Sequence, residues 1–194
     1  MDFLSAIKSI AGEECIFCNE MMSDHTTFKV GGPAKYFVVP YRAEDIKKYI
    51  LAAEEYKIPY YVIGNGSNLL VSDKGYDGMI IMLGRDLGNI TVNGDRITAE
   101  AGTSLARLFN TARRHSLSGL EFAAGIPGTL GGACYMNAGA YGGEMKDVLT
   151  KVITIDRQGN THEYKQGEME LSYRNSIFIR KQEIILSAEM KLCK

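Results

Sequence analysis

The residues best suited to chemistry lie in two glycine-rich stretches. Gly64-Asn65-Gly66-Ser67-Asn68 follows directly on the apolar run 60–63. Glycines let a backbone turn tightly and approach a ligand, and successive N–H groups in such a turn make a concave anion site. Ser67 and Asn68 add side-chain donors, which suits a pyrophosphate. Leu69 stands where a G-x-G-x-x-G motif needs its third glycine, and no Gly-Lys-Ser/Thr follows, so neither common phosphate motif is present. Taken alone, the loop reads equally well as a glycine turn joining two strands.

The second stretch, 123–143, holds glycines at 125, 128, 131, 132, 139, 142 and 143. They are interleaved with Ile126, Leu130, Met136, Asn137 and Tyr141, and Glu144 is the first acid after Glu121. So long a segment with so little charge is not a solvated linker. Small side chains beside apolar ones describe backbone packed on a flat, partly apolar ligand. Long loops inside compact domains are also usually functional. Together the stretches suggest one extended ligand with a diphosphate and a planar ring, gripped between two subdomains. Flavin adenine dinucleotide (FAD) fits that description.

The elements that must position these loops follow from periodicity and punctuation. Residues 1–24 form an N-terminal arm or a short amphipathic helix, with Phe3, Leu4, Ile7 and Ile10 on one face and Gly12 as its stop. An extended run over 35–39 ends at Pro40. A helix fits 43–57, with Ile46, Tyr49, Ile50 and Ala53 at helical spacing and Glu44 and Asp45 at its positive end. Strands at 60–63 and 79–83 complete a small α/β unit over 25–86. Beyond a boundary near 84–88, Ile90 and Val92, the turn Asn93-Gly94, then Ile97 and Ala99 predict a hairpin. Thr103 or Ser104 caps a helix reaching about His115, with Leu105, Leu108, Phe109 and Ala112 inward. Strand-like runs at 151–156, 161–164, 176–179 and 183–192 make 87–194 a mostly antiparallel α+β unit.

Composition bounds the class. The chain has 194 residues, 45% of them apolar and 23% charged, with 22 Lys plus Arg against 23 Asp plus Glu. This is an ordinary globular composition. A net charge of −1 excludes the basic footprint of a general nucleic-acid binder. No apolar run approaches the roughly 18 residues of a membrane span, and no secretory signal opens the chain. Four cysteines do not make a disulfide framework, so a cytoplasmic protein is expected. Cys15-x-x-Cys18 lacks the second ligand pair of a zinc site, so no metal is expected. Cys134 suits packing better than nucleophilic chemistry. Arg107, Arg113, Arg114 and His115 fit the wet face of their helix.

GNGSN at 64–68, GLEFAAGIPGTLGGACYMNAGAYGGE at 119–144 and LSYRNSIF at 171–178 occur in order, preceded by His25-Thr26-Thr27-Phe28 and Val30-Gly31-Gly32. With these motifs the chain resembles the UDP-N-acetylenolpyruvoylglucosamine reductases, flavoenzymes of bacterial peptidoglycan precursor synthesis. The resemblance covers about residue 25 to the C-terminus. It implies the two-subdomain α+β FAD-binding fold of the vanillyl-alcohol-oxidase-like (PCMH-type) class, with subdomains 25–86 and 87–194. It also implies non-covalent FAD, NADPH as hydride donor, and a UDP-sugar whose enolpyruvyl ether becomes a lactyl ether. The enzyme would be a cytoplasmic monomer serving cell-wall biogenesis, cell shape and division, with neither nucleic acid nor membrane as partner.

Residue by residue, the resemblance places Gly64, Asn65, Gly66, Ser67 and Asn68 on the pyrophosphate. Gly125, Ile126, Gly131, Gly132, Asn137 and Gly139 would line the rest of the cofactor. Arg174 would be the catalytic cation that holds the substrate carboxylate while negative charge spreads into it, with Tyr173 beside the same substrate. A guanidinium suits that task because its planar fork grips a carboxylate and stays charged. The family carries a further C-terminal substrate domain with a serine proton donor and a glutamate. Nothing follows Lys194, so the expectation is the FAD-binding portion, catalytically incomplete by itself. Two alternatives stand beside this: an FAD-dependent oxidase of the same fold, and a non-catalytic flavin-binding module. Many such oxidases tether their flavin through a histidine, and His25, His115 and His162 all lie outside the glycine stretches.

Overall fold

Asp2 opens the first helix, α1 (Phe3–Ala11), by accepting the amide of Ser5 on Oδ1 at 2.8 Å, and Gly12 at φ 89° closes it. The structure, a computed structural model, describes residues 2–194. It divides into two compact units. One runs to Leu87 and includes Arg157–Gly159; the other comprises Gly88–Asp156 and Asn160–Lys194.

The first unit is a four-stranded sheet with helices on one face. After α1 come β1 (Ile16–Met21), β2 (Pro33–Val38), α2 (Ala43–Glu55), β3 (Tyr60–Ile63) and β4 (Tyr76–Met82), in the spatial order β1-β2-β4-β3. β4 runs parallel to both β2 and β3, and its Met79, Ile80 and Ile81 are all buried, as befits a central parallel strand. Phe37 and Ile80 are paired across β2 and β4 and join Met22, Ala34 and Ile63 in one apolar cluster. Tyr36 points to the opposite face, where the Phe3 ring of α1 meets it edge-on at 4.9 Å. α2 buries Ile46, Tyr49, Ile50 and Ala53, the stripe its spacing predicts.

One expectation here needs correcting. The helix expected to stop at Gly12 is α1, but the rest of the segment expected as an arm is not one: Ile16–Met21 becomes strand β1, antiparallel to β2. β1 is an edge strand whose Phe17 and Met21 stay exposed, so main-chain pairing rather than alternating burial holds it.

The second unit is built on a five-stranded antiparallel sheet. Its elements are β5 (Ile90–Asn93), β6 (Arg96–Glu100), α3 (Leu105–Arg114), α4 (Leu130–Tyr135), β7 (Gly139–Ala140), β8 (Gly143–Glu144), β9 (Leu149–Ile155), β10 (Thr161–Lys165), α5 (Ile177–Lys181) and β11 (Ile184–Lys191). The strand order is β10-β9-β11-β6-β5, with β7 and β8 forming a separate small hairpin. The β5–β6 hairpin turns at Gly94, φ 63°, where its Asn-Gly signal lies. Ser104, not Thr103, caps α3 by accepting the amide of Arg107. Within α3, Thr111 rather than Phe109 completes the buried stripe, its hydroxyl returned to the Arg107 carbonyl.

The strand expected over 176–179 is instead the helix α5. Ser176 caps its start by accepting the amide of Ile179, and Gln182 at φ 55° ends it. The β-branched Ile177 and Ile179 favour a strand, but the cap and the packing of buried Phe178 override them.

Candidate functional site

In the first unit the loop 64–68 leaves β3 and turns back at Gly66, φ 61°. A Cβ on Gly66 would overlap the carbonyl oxygen of His25, and the Gly66 carbonyl accepts the amide of Thr27 at 3.2 Å. The His25–Phe28 motif is thus laid directly against the glycine loop. Between them opens a cavity of about 530 Å3, lined by Asp24–Thr27, Lys29, Gly64, Asn65 and Met82–Gly84. Gly64 and Asn65 reach this cavity; Gly66, Ser67 and Asn68 are outside its lining.

The His25-Thr26-Thr27-Phe28 motif has no role legible in the sequence alone. In the fold these residues brace the glycine loop. Thr26 is buried with its hydroxyl on the Val30 carbonyl, which fixes the bend. His25 donates to or accepts from Glu20 through Nε2 at 2.9 Å and stacks on Phe37 at 4.2 Å. Lys29 and His25 bring basic side chains to the wall and Asp24 an acidic one, the rest being backbone, hydroxyl, amide and apolar groups.

In the second unit the glycine tract is ordered rather than irregular. It holds the helix α4, which packs on β11 and β6, and the β7–β8 hairpin. Five of its glycines fall into two kinds. At Gly131 a Cβ would meet Ala101, at Gly139 it would meet Glu144 and Gly143, and at Gly143 it would meet Phe122. The chain's own packing requires those three. At Gly125 nothing stands within 4 Å, and at Gly132 only the Thr129 hydroxyl does, at 3.8 Å; neither has a positive φ. Gly132 even lies inside α4, where alanine is favoured by about 1 kcal/mol. Ile126, half-buried, follows Gly125 with its amide on the Ala123 carbonyl.

Three further details mark this segment. The Thr103 hydroxyl is buried without a hydrogen-bond partner among the described residues, although the Thr103 carbonyl accepts the amide of Leu130 at the start of α4. Tyr141 is 98% exposed at the tip of the β7–β8 hairpin, and with Gly142 it forms a turn in which both central residues have positive φ (51° and 85°). Such turns favour Asn or Gly at the first of these positions, so a bare tyrosine there goes against local preference. Cys134 is fully buried in α4, and burial pushes its thiol far above the ordinary range, which leaves it inert.

Asn137 has φ 43° and is buried, and its amide is wholly occupied. Nδ2 donates to Glu144 Oε2 at 2.7 Å and to the Ser172 carbonyl at 3.0 Å, while Oδ1 accepts the amide of Lys146 at 2.9 Å. The structure thus joins the glycine tract to the 171–178 motif. There Ser172 and Asn175 exchange reciprocal amide–carbonyl bonds of 3.1 Å, leaving Tyr173 and Arg174 as the two residues of a tight turn. Both are exposed, the guanidinium lies 5.7 Å from the Tyr173 ring centre, and Arg174 is held at φ 51°. Among the described residues no carboxylate pairs with it. Left-handed backbone at an arginine costs on the order of 1 kcal/mol.

Elsewhere, Arg107, Arg113, Arg114 and His115 are exposed, and Arg107 also donates to the Gly88 carbonyl. Cys15 is buried with its thiol on the Ala11 carbonyl, whereas Cys18 is exposed on β1. Among the described residues no three His, Cys, Asp or Glu side chains gather where they could hold a metal. No helix there is long and apolar enough to cross a membrane.

Comparison with known proteins gives a consistent set of relatives. The profile of a family described as "FAD binding domain" matches residues 34–165. UDP-N-acetylenolpyruvoylglucosamine reductase of Syntrophomonas wolfei subsp. wolfei is 51% identical over 181 residues, which cover 93% of this chain and 60% of that protein. The same-named protein of Clostridioides difficile is 44% identical over 191 residues, covering 98% and 63%. The chain therefore spans about three fifths of the length of these curated relatives. Among solved structures, UDP-N-acetylenolpyruvylglucosamine reductase from Thermus caldophilus superposes with a TM-score of 0.77 at 36% identity, covering 90% of this chain and 61% of that one. A 4-ethylphenol oxidase from Gulosibacter chungangensis gives a TM-score of 0.76 at 17% identity, covering 98% and 42%, a likeness of fold alone.

Proposed function

The chain belongs to the FAD-binding-domain family, with the α+β fold of the vanillyl-alcohol-oxidase-like class, and from that premise we propose that it is the FAD-holding part of a UDP-N-acetylenolpyruvoylglucosamine reductase. The full enzyme would reduce the enolpyruvyl ether of UDP-N-acetylglucosamine with NADPH, as a cytoplasmic monomer supplying peptidoglycan precursors. Its partners are small molecules, the UDP-sugar and NADPH. The relatives' names and the order of the motifs support this reading.

The residues present fit FAD. Gly125 and Gly132 are bare where neither conformation nor internal packing asks for glycine, and Thr103 keeps an unspent buried hydroxyl beside α4. A flat ligand lying on this backbone accounts for all three. Gly125, Ile126 and Gly132 would line the cofactor directly, while Gly131, Asn137 and Gly139 hold the segment in the shape that lets them do so. Gly64, Asn65, Gly66, Ser67 and Asn68, with the 25–28 bend behind them, would take the pyrophosphate through backbone N–H groups and hydroxyl and amide donors. FAD, when bound, supplies a hydride obtained from NADPH.

Arg174 is the observation that carries the reductase reading. It is a cation with no carboxylate partner among the described residues, set on a tight exposed turn at an unfavourable φ. Hydride addition to the vinyl carbon leaves negative charge that must spread into the substrate carboxylate. A guanidinium already facing that carboxylate stabilises this charge more than it stabilises the ground state, which lowers the barrier. Tyr173, whose ring centre lies 5.7 Å from the guanidinium, would stand beside the same carboxylate. The test is turnover of NADPH with UDP-N-acetylglucosamine enolpyruvate by the FAD-loaded full-length enzyme and its Arg174→Lys variant. Lysine keeps the charge but loses the fork, so turnover should fall by about tenfold or more while FAD affinity holds. Unchanged turnover removes Arg174 from the mechanism.

A further inference from the structure

The Tyr173–Arg174 turn is tied down on both of its shoulders. Ahead of it, the Ser172 carbonyl accepts Asn137 Nδ2 at 3.0 Å; behind it, Ser176 Oγ donates to the Tyr135 carbonyl at 2.7 Å. Asn137 and Ser176 are each 2% exposed, whereas the two residues between the ties are open to solvent. Both ties end on the short segment that leaves α4. Asn137 is itself immobilised by Glu144 Oε2 and the Lys146 amide, and the Lys146 ammonium pairs with Glu144.

The turn's own reciprocal bonds between Ser172 and Asn175 fix only its width. A two-residue hairpin held by those bonds alone is free to swing as a unit, carrying the guanidinium with it. Two buried anchors, one on each strand of the hairpin, remove that freedom. They also hold the left-handed backbone at Arg174, which the residue does not favour by itself.

We infer that Asn137 and Ser176 are positioning residues for Arg174. Their polar groups are engaged within the protein, and they set where the guanidinium stands relative to the backbone that follows α4. The inference rests on Arg174 being the carboxylate-holding cation. Its consequence is selective. A displacement of about 1 Å in a positioned charge costs on the order of a hundredfold in rate. Loss of either tie therefore slows the carboxylate-dependent step and spares the step in which NADPH reduces the flavin.

The experiment uses the FAD-loaded full-length enzyme and three variants. Ser176→Ala removes one tie, Ser176→Thr keeps the hydroxyl, and Asn137→Gly removes the other tie with a residue that suits φ 43°. Amide hydrogen exchange is followed at residues 172–176, where the Asn175 amide reports closure of the turn. Flavin reduction by NADPH and flavin reoxidation by UDP-N-acetylglucosamine enolpyruvate are timed separately. In Ser176→Ala and in Asn137→Gly the Asn175 amide should exchange about tenfold faster or more. Reoxidation in Ser176→Ala should slow by roughly tenfold to a hundredfold, with reduction by NADPH unaltered, and Ser176→Thr should restore both signals. Unaltered exchange in both tie-removing variants overturns the inference, as does equal slowing of the two half-reactions. The underlying reading fails differently: Arg174→Lys then reoxidises at the normal rate, or enolpyruvyl substrate reoxidises no variant, while exchange still reports the ties.

Discussion

Gly66 lies so close against His25 that a β-carbon on it would overlap the His25 carbonyl oxygen. The glycine that looks most like a ligand contact in the sequence is thus required first by the protein itself. Gly132 shows the reverse relationship, since nothing in the chain stands where its side chain would go except one hydroxyl at 3.8 Å. Substitutions at these two sites separate folding from cofactor binding.

Gly132→Ala should stabilise the chain by about 0.5–1 kcal/mol, because alanine is the better helix former. It should also lower FAD affinity by about tenfold, since a methyl group enters the surface left bare for the cofactor. Gly66→Ala should instead lose more than about 1 kcal/mol of stability, from its positive φ and the overlap with His25. Thermal melts without FAD, together with flavin fluorescence titrations, read both effects. Equal loss of stability at the two sites contradicts this division.

Arg174→Gly should melt no lower than the parent and up to about 1 kcal/mol more stably, because glycine accepts φ 51° without strain. Its reductase turnover in the full enzyme should be lost. A clear drop in melting temperature would mean that the arginine is there to hold the turn.

Glu183 is the buried knot of the second unit. Its carboxylate accepts the Thr154 hydroxyl and, at 2.9 Å, the Tyr164 hydroxyl, which itself accepts Lys181 Nζ at 2.8 Å. Burial raises the Tyr164 phenol, and Lys181 partly opposes this. Glu183→Ala leaves the buried Thr154 and Tyr164 hydroxyls without an acceptor for their protons and should cost about 1–3 kcal/mol in urea denaturation. Tyr164→Phe in the same chain should recover part of that cost. Strictly additive losses contradict a shared network.

Glu189 sets an acid limit. The Thr150 hydroxyl at 2.7 Å, and then the Arg96 guanidinium at 2.6 Å, hold its carboxyl below the ordinary 4.5. The unfolded chain therefore takes up this proton more readily than the folded one. The resulting stability is complete above about 4.5 and fades as pH falls through the lower folded value. The difference in melting temperature between the parent and Glu189→Gln should shrink on acidification below that point. A difference that stays constant from neutral to acid pH contradicts it.

What the sequence reveals tracks how local the cause is. The β5–β6 hairpin is legible because Asn93-Gly94 specifies its turn, and α2 because its buried stripe repeats at helical spacing. β1 is hidden because an edge strand held by main-chain pairing has no alternation to show. α5 is hidden because Ile177-Phe178-Ile179 favours a strand until the Ser176 cap decides otherwise. At the candidate site the glycine tract announces itself, but Gly131 and Gly132 look alike until Ala101 is seen against one and open space against the other. The partnership of Asn137 with Ser172 spans 35 residues and leaves no local trace.

The most direct test is the visible flavin absorbance of the purified chain after incubation with FAD and desalting, read before and after denaturation. A non-covalent FAD-binding chain keeps about one flavin per polypeptide while folded and releases all of it on unfolding. Desalted chain with no flavin colour, or colour that stays with the denatured polypeptide, contradicts the account.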